Sequence, residues 1–140
     1  MLKEVKVMKE KICKTVFMLY QYADMTKMIH YSTEKNHIHE LCDDVRDAIV
    51  DFADELAEQS FGFYGKPSFD EMSLNQPVKL TKEIGELCKN VLGSIEYIEK
   101  EYEGDDEHTN IISLIDDFKG KMRKFIFLST FDRVVEHETE

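Results

Sequence analysis

Helix-breaking residues are scarce in this chain: 140 residues contain six glycines and two prolines, and both prolines, Pro67 and Pro77, fall in one middle segment. Proline removes a backbone donor and glycine costs about 1 kcal/mol in a helix interior. Their scarcity elsewhere leaves room for long helices, and an all-α domain is expected. No run approaches the roughly 18 apolar residues that a membrane-spanning helix needs, so no membrane contact is expected. The first residues, MLKEVKVMKEK, alternate charge with apolar side chains and lack the continuous apolar core of a signal peptide. Cys13, Cys42 and Cys88 are widely spaced, with no CxxC pair, so a thiolate zinc site is not expected. Each lies in an apolar pattern, as small buried hydrophobes of a reducing compartment do, which implies a cytoplasmic protein. Basic residues are also in short supply, 18 Lys and Arg against 29 Asp and Glu, for a formal charge of −11. Nucleic acids and anionic membranes both require a basic surface, so neither is expected as a partner, whereas cations are attracted.

Helical periodicity fills the space these absences leave. The length suits one domain, residues 1–140, able to bury a core. Val5, Met8, Ile12, Val16, Leu19, Ala23 and Thr26 recur at spacings of three and four, and His30 is next in that series. The spacing predicts a first helix over 3–31 with His30 on its core face, then a turn at Ser32 to Asn36. A second helix over 36–61 carries Ile38, Leu41, Val45, Ile49, Phe52 and Leu56 inward, and Gly62 and Gly65 stop it as a C-terminal cap. A third helix over 81–102 turns Ile84, Leu87, Val91, Ile95 and Ile98 inward. A fourth over 107–131 does so with Ile111, Leu114, Ile115, Phe118, Met122, Phe125 and Ile126. Residues 62–80 form the single long connection, in which Ser68 and Glu71 have capping-box spacing for a short helix at Phe69 to Leu74. Four helices joined by two short turns and one long crossover describe a four-helix bundle of the ferritin-like class.

The chemistry concentrates on the second helix. At about 100° per residue, His39, Asp43, Asp54 and Glu58 share an arc of roughly 100°. Imidazole with carboxylate suits iron, manganese or zinc. His39 and Asp54 are 15 residues apart, however, or roughly 22 Å along the axis, too far for one ion. The helix therefore carries a His/Asp pair near its start and an Asp/Glu pair near its end. Two copies meeting antiparallel across a two-fold would set the end pair of one against the start pair of the other, making two identical sites. His30 would complete each. The expected assembly is a homo-oligomer, at least a two-fold dimer.

Other chemistry finds less in the sequence. A di-iron site within one bundle needs Glu-x-x-His on two helices; the sole instance, Glu34 to His37, lies in the turn. Asp51, Asp54, Glu55 and Glu58 imitate half of an Mg²⁺ site of all-α NTP pyrophosphatases, but the second acidic pair is missing from helix three. No Cys or Ser sits with a His and an acid in a nucleophilic pattern. His37 could replace His39 but has no carboxylate one turn on. His108 and His137, in an acidic turn and a charged tail, read as exposed. An acidic helix face is also commonly just solvated, which keeps a non-catalytic interaction bundle as the alternative.

The stretch from His30 to Gly62 resembles the Dps family of mini-ferritins. There a His ends the first helix and the second carries H-E-x-x-D, then D-x-x-x-E and a glycine turn. Here these read His39-Glu40-Leu41-Cys42-Asp43 and Asp54-Glu55-Leu56-Ala57-Glu58, with Gly62 after. The resemblance implies a ferroxidase centre for Fe²⁺/Fe³⁺, with Mn²⁺ or Zn²⁺ as alternative metals. Its ligands would be His30, His39 and Asp43 of one chain and Asp54 and Glu58 of another. The pattern of His30, Thr33 and His39 with the Gly62-Phe63-Tyr64-Gly65 turn is also similar to small ferritin-like proteins of bacteriophages and prophages. The chain departs from Dps in three ways. The loop between the histidines is three residues shorter, Tyr31 and Gln59 stand where Trp and Arg are usual, and neither end has a lysine-rich tail, so DNA binding is not carried over.

Overall fold

The computed structural model describes residues 2–70, 72–74 and 77–131. Within them the chain forms α1 (Leu2–Ser32), α2 (Asn36–Tyr64), α3 (Ile84–Glu99) with a 3₁₀ turn at Lys100–Tyr102, and α4 (Thr109–Ser129), with no strand among the described residues. No described helix is long and apolar enough to cross a membrane. The all-α expectation and the four helices hold; their ends shift. α2 runs through Gly62 and stops at Gly65, whose φ of 98° and ψ of 169° suit glycine and whose N–H bonds Phe61 O at 2.9 Å. α3 starts later than expected because Thr81 is tied elsewhere. Its N–H donates to Met25 Sδ of α1 at 3.2 Å and its hydroxyl accepts from Asn90 of α3 at 3.0 Å.

α1 and α2 form one antiparallel hairpin, α3 and α4 the other. Each helix of one hairpin packs on one of the other, α1 on α3 and α2 on α4. Between the hairpins the chain must return along α2, about 43 Å long for its 29 residues at 1.5 Å each. The crossover does so beside α1, from Gly65 near Lys9 to Thr81 at Met25. α2 and α3 therefore run parallel. The short helix expected at Phe69 to Leu74 is not seen among the described residues, where one turn bond joins Met72 N–H to Phe69 O at 3.3 Å. Its capping partner Glu71 lies outside the described residues, as does His137.

The core follows the helical stripes. Ile12, Leu19, Val45, Ile49, Leu56, Leu87, Val91, Ile95, Ile98, Ile111, Ile115 and Met122 are all buried. Phe52 and Phe118 stack at 4.0 Å between α2 and α4, and Tyr22 of α1 shares a hydrogen bond with Ser94 of α3 at 3.1 Å. All three cysteines are buried and unoxidised. Burial pushes the Cys42 thiol up to about 11 and the Cys88 thiol up to about 12.

Candidate metal centre at the first turn

The three-residue turn Thr33–Lys35 brings the end of α1 against the start of α2, so His30 meets His39. Their rings stack with centroids 3.7 Å apart and planes at 20°. The contact is reciprocal: His30 Nδ1–H donates to His39 O at 3.0 Å, and His39 Nδ1–H donates to His30 O at 2.8 Å. Asp43, one turn beyond His39, places Oδ1 3.3 Å from the same His30 Nδ1. Lys27, one turn before His30, holds its ammonium 3.6 Å from that Oδ1 and 5.8 Å above the Tyr31 ring. The His30 side chain is 16% exposed and Asp43 half exposed.

Three of the five expected ligands therefore come together. With Nδ1 committed as a donor, each imidazole keeps its lone pair on Nε2, the tautomer in which a carbonyl-oriented histidine binds a metal. The donor types fit an iron-class ion. Their directions do not converge within one chain. A ligated ion lies in the imidazole plane about 2.1 Å from nitrogen, and two near-parallel planes 3.7 Å apart do not share such a point. Asp43 faces the Nδ1 edge of His30, not Nε2. One ring must leave the stack, and His30 must turn, before the three side chains meet on one ion. No group of three or more His, Cys, Asp or Glu among the described residues forms a metal cage as it stands.

Asp54 and Glu58 lie further along the uninterrupted α2, exposed and without a hydrogen bond or ion pair among the described residues. α2 keeps them on their own turns, Asp54 about 16 Å from Asp43 along the axis. The structure does not bring them to the histidines of their own chain. His37, the alternative ligand, is partly buried beside Glu40, Asp44 and Phe131 in a recess of about 140 Å³, with Nε2 buried and unpartnered.

The sequence reading missed the group at the opposite end of the bundle. His108, expected to be exposed, is 8% exposed. Its ring lies 4.1 Å from Phe63, 5.6 Å from Tyr64 and 5.5 Å from Tyr102. Its Nδ1 meets Asp105 Oδ2 at 2.7 Å, while Asp105 Oδ1 accepts the N–H of Glu107 at 2.6 Å and of His108 at 2.9 Å. These bonds, the His108 side chain first, hold the Asp105 carboxyl below its usual range. The hydroxyls of Tyr64 and Tyr102 share a hydrogen bond at 3.1 Å, and burial raises both phenols. Asp three residues before His at a helix start was the available signal, since Asx turns favour that spacing. Of the aromatic partners, Phe63 and Tyr64 come from α2, far off in sequence, while Tyr102 comes from the 3₁₀ turn just before.

Comparison with protein-family models, with curated proteins and with solved structures finds no match to this chain.

Proposed function

We propose that the chain is a ferritin-like, Dps-type bundle that acts as a homo-oligomer and binds iron at sites shared by two copies. The observation that carries the reading is the division of the ligand set on α2. His39 and Asp43 cluster at its start with His30 of α1, and Asp54 and Glu58 stand exposed toward its other end, without a partner among the described residues. An antiparallel partner supplies the missing carboxylates to each histidine cluster. Support for such a partner lies on α1, where Phe17, Tyr20, Met28 and Tyr31 fall within an arc of about 80° and are exposed, Phe17 by 47% and Met28 by 56%. An exposed, largely apolar stripe of this kind, interrupted by Asp24, supports an association surface. In the assembled site His30, His39 and Asp43 would hold one side of the ion and the partner's Asp and Glu the other, and the chemistry such a site would supply is oxidation of Fe²⁺ to Fe³⁺ with dioxygen as the electron acceptor. Lys27, already beside Asp43, must yield to the incoming cation.

A second reading rests on one specific observation. The stacked, mutually bonded histidines with Asp43 and Lys27 form a closed latch on the α1–α2 turn. A non-catalytic interaction bundle, with that latch as a structural clasp, is the alternative. Aerobic addition of Fe²⁺ to wild type and Glu58→Ala, followed by ferric absorbance, separates the two. Fast oxidation by wild type alone is the expected result; equal, slow rates in both leave the clasp reading. Glu58 is exposed and unpaired among the described residues, so circular dichroism of the variant should be unchanged.

A further inference from the structure

At the end of the bundle where α3 begins and α4 finishes lies a cavity of about 490 Å³, within the size range of small-molecule sites. Its floor is apolar: Ile29 and Ile84 are buried, and Ile38 and Ile126 partly so. Its rim carries both signs of charge, with lysines in excess over glutamates. Lys35, Lys82 and Lys89 all line the opening, are exposed, and make no ion pair among the described residues. Of the hydroxyls on the same wall, Ser32 donates to Ile29 O, Ser129 to Ile126 O and Thr130 to Phe127 O. Thr33 accepts the N–H of Lys35 and donates to no other described residue, so the free side-chain donors on the lining are its hydroxyl and the three ammonium groups. Glu83 and Glu86 also line the opening, leaving one net positive charge at this mouth on a chain of net charge −11.

A neutral apolar guest would leave the net positive charge of the rim unanswered, and a bare inorganic anion would leave the isoleucines wet. We infer that the cavity binds a small amphiphilic anion, its apolar body on the isoleucine floor and its charged head among Lys35, Lys82 and Lys89. The overall negative charge does not forbid this, because at physiological salt fields are screened beyond about 8 Å and the near rim decides. The cavity lies between the hairpins and involves none of the five candidate metal ligands, so the inference stands apart from the iron reading.

The test uses the full chain with three probes: octanoate, 1-octanol as the tail without charge, and inorganic phosphate as the charge without tail. Calorimetry and isoleucine methyl NMR should show saturable octanoate binding with shifts at Ile38 and Ile126. Lys82→Glu with Lys89→Glu should weaken it by about tenfold, and the other two probes should bind at least about tenfold more weakly than octanoate. Absence of saturable octanoate binding overturns the proposal, as does equal affinity in the double variant with unchanged circular dichroism. Binding of 1-octanol as tight as that of octanoate also overturns it, because the rim would then select nothing.

Discussion

At the residue scale, burial and hydrogen bonding set what each titratable group can do. Asp105 is held below the usual carboxylate value near 3.9 by His108 and two backbone N–H groups. A carboxyl depressed in the folded state contributes stability above its unfolded value, and that contribution fades as pH falls through the folded one. Urea midpoints of wild type should therefore drop as pH is lowered below about 4, and those of Asp105→Asn should fall less steeply over the same window. The thiols are governed by desolvation. Cys42 and Cys88, pushed up to about 11 and about 12, remain thiols at neutral pH and lack the thiolate that reacts. An aromatic disulfide reagent should leave both untouched in the native protein and titrate all three cysteines after unfolding.

Among elements, the end of α2 shows why two glycines three residues apart act oppositely. Gly62 lies inside the helix, and a Cβ there would meet nothing within 4 Å. Gly62→Ala should stabilise by about 1 kcal/mol through helix propensity. Gly65 carries the positive φ that ends the helix, in a region nearly closed to other residues. Gly65→Ala should cost about 1 to 3 kcal/mol. Denaturant unfolding of the two variants reads both signs in one experiment. The sequence marked both glycines as stops, since either could end a helix at Phe61 or Tyr64. Which one did so depended on α2 continuing far enough to place Phe63 and Tyr64 against His108. Thr81 gives a similar lesson: its hydrogen bonds to Met25 and Asn90 hold it out of α3, and neither partner is local.

For the whole molecule, the question is what covers the outer face of α1. With Phe17, Tyr20, Met28 and Tyr31 exposed in one stripe, the proposed two-fold dimer should form in solution. Phe17→Glu combined with Met28→Glu should shift sedimentation to the monomer while helical circular dichroism is kept. Iron oxidation should fall with the dimer, because each half-site loses its partner's carboxylates.

Periodicity, scarce glycine and proline, and one long connection were enough to read the four helices and their inward faces, because in a bundle the core stripe is a local repeat of three and four residues. The same arithmetic placed His39, Asp43, Asp54 and Glu58 on one face of α2 and kept them on separate turns, since an unbroken helix preserves its rise. Only the tertiary structure decided that His30 and His39 bond to each other's carbonyls and stack, with Asp43 on the Nδ1 edge and Lys27 beside it. It also decided that His108 is buried. Both outcomes depend on which distant backbone and rings arrive at a side chain, and packing between helices sets that where one-dimensional spacing does not.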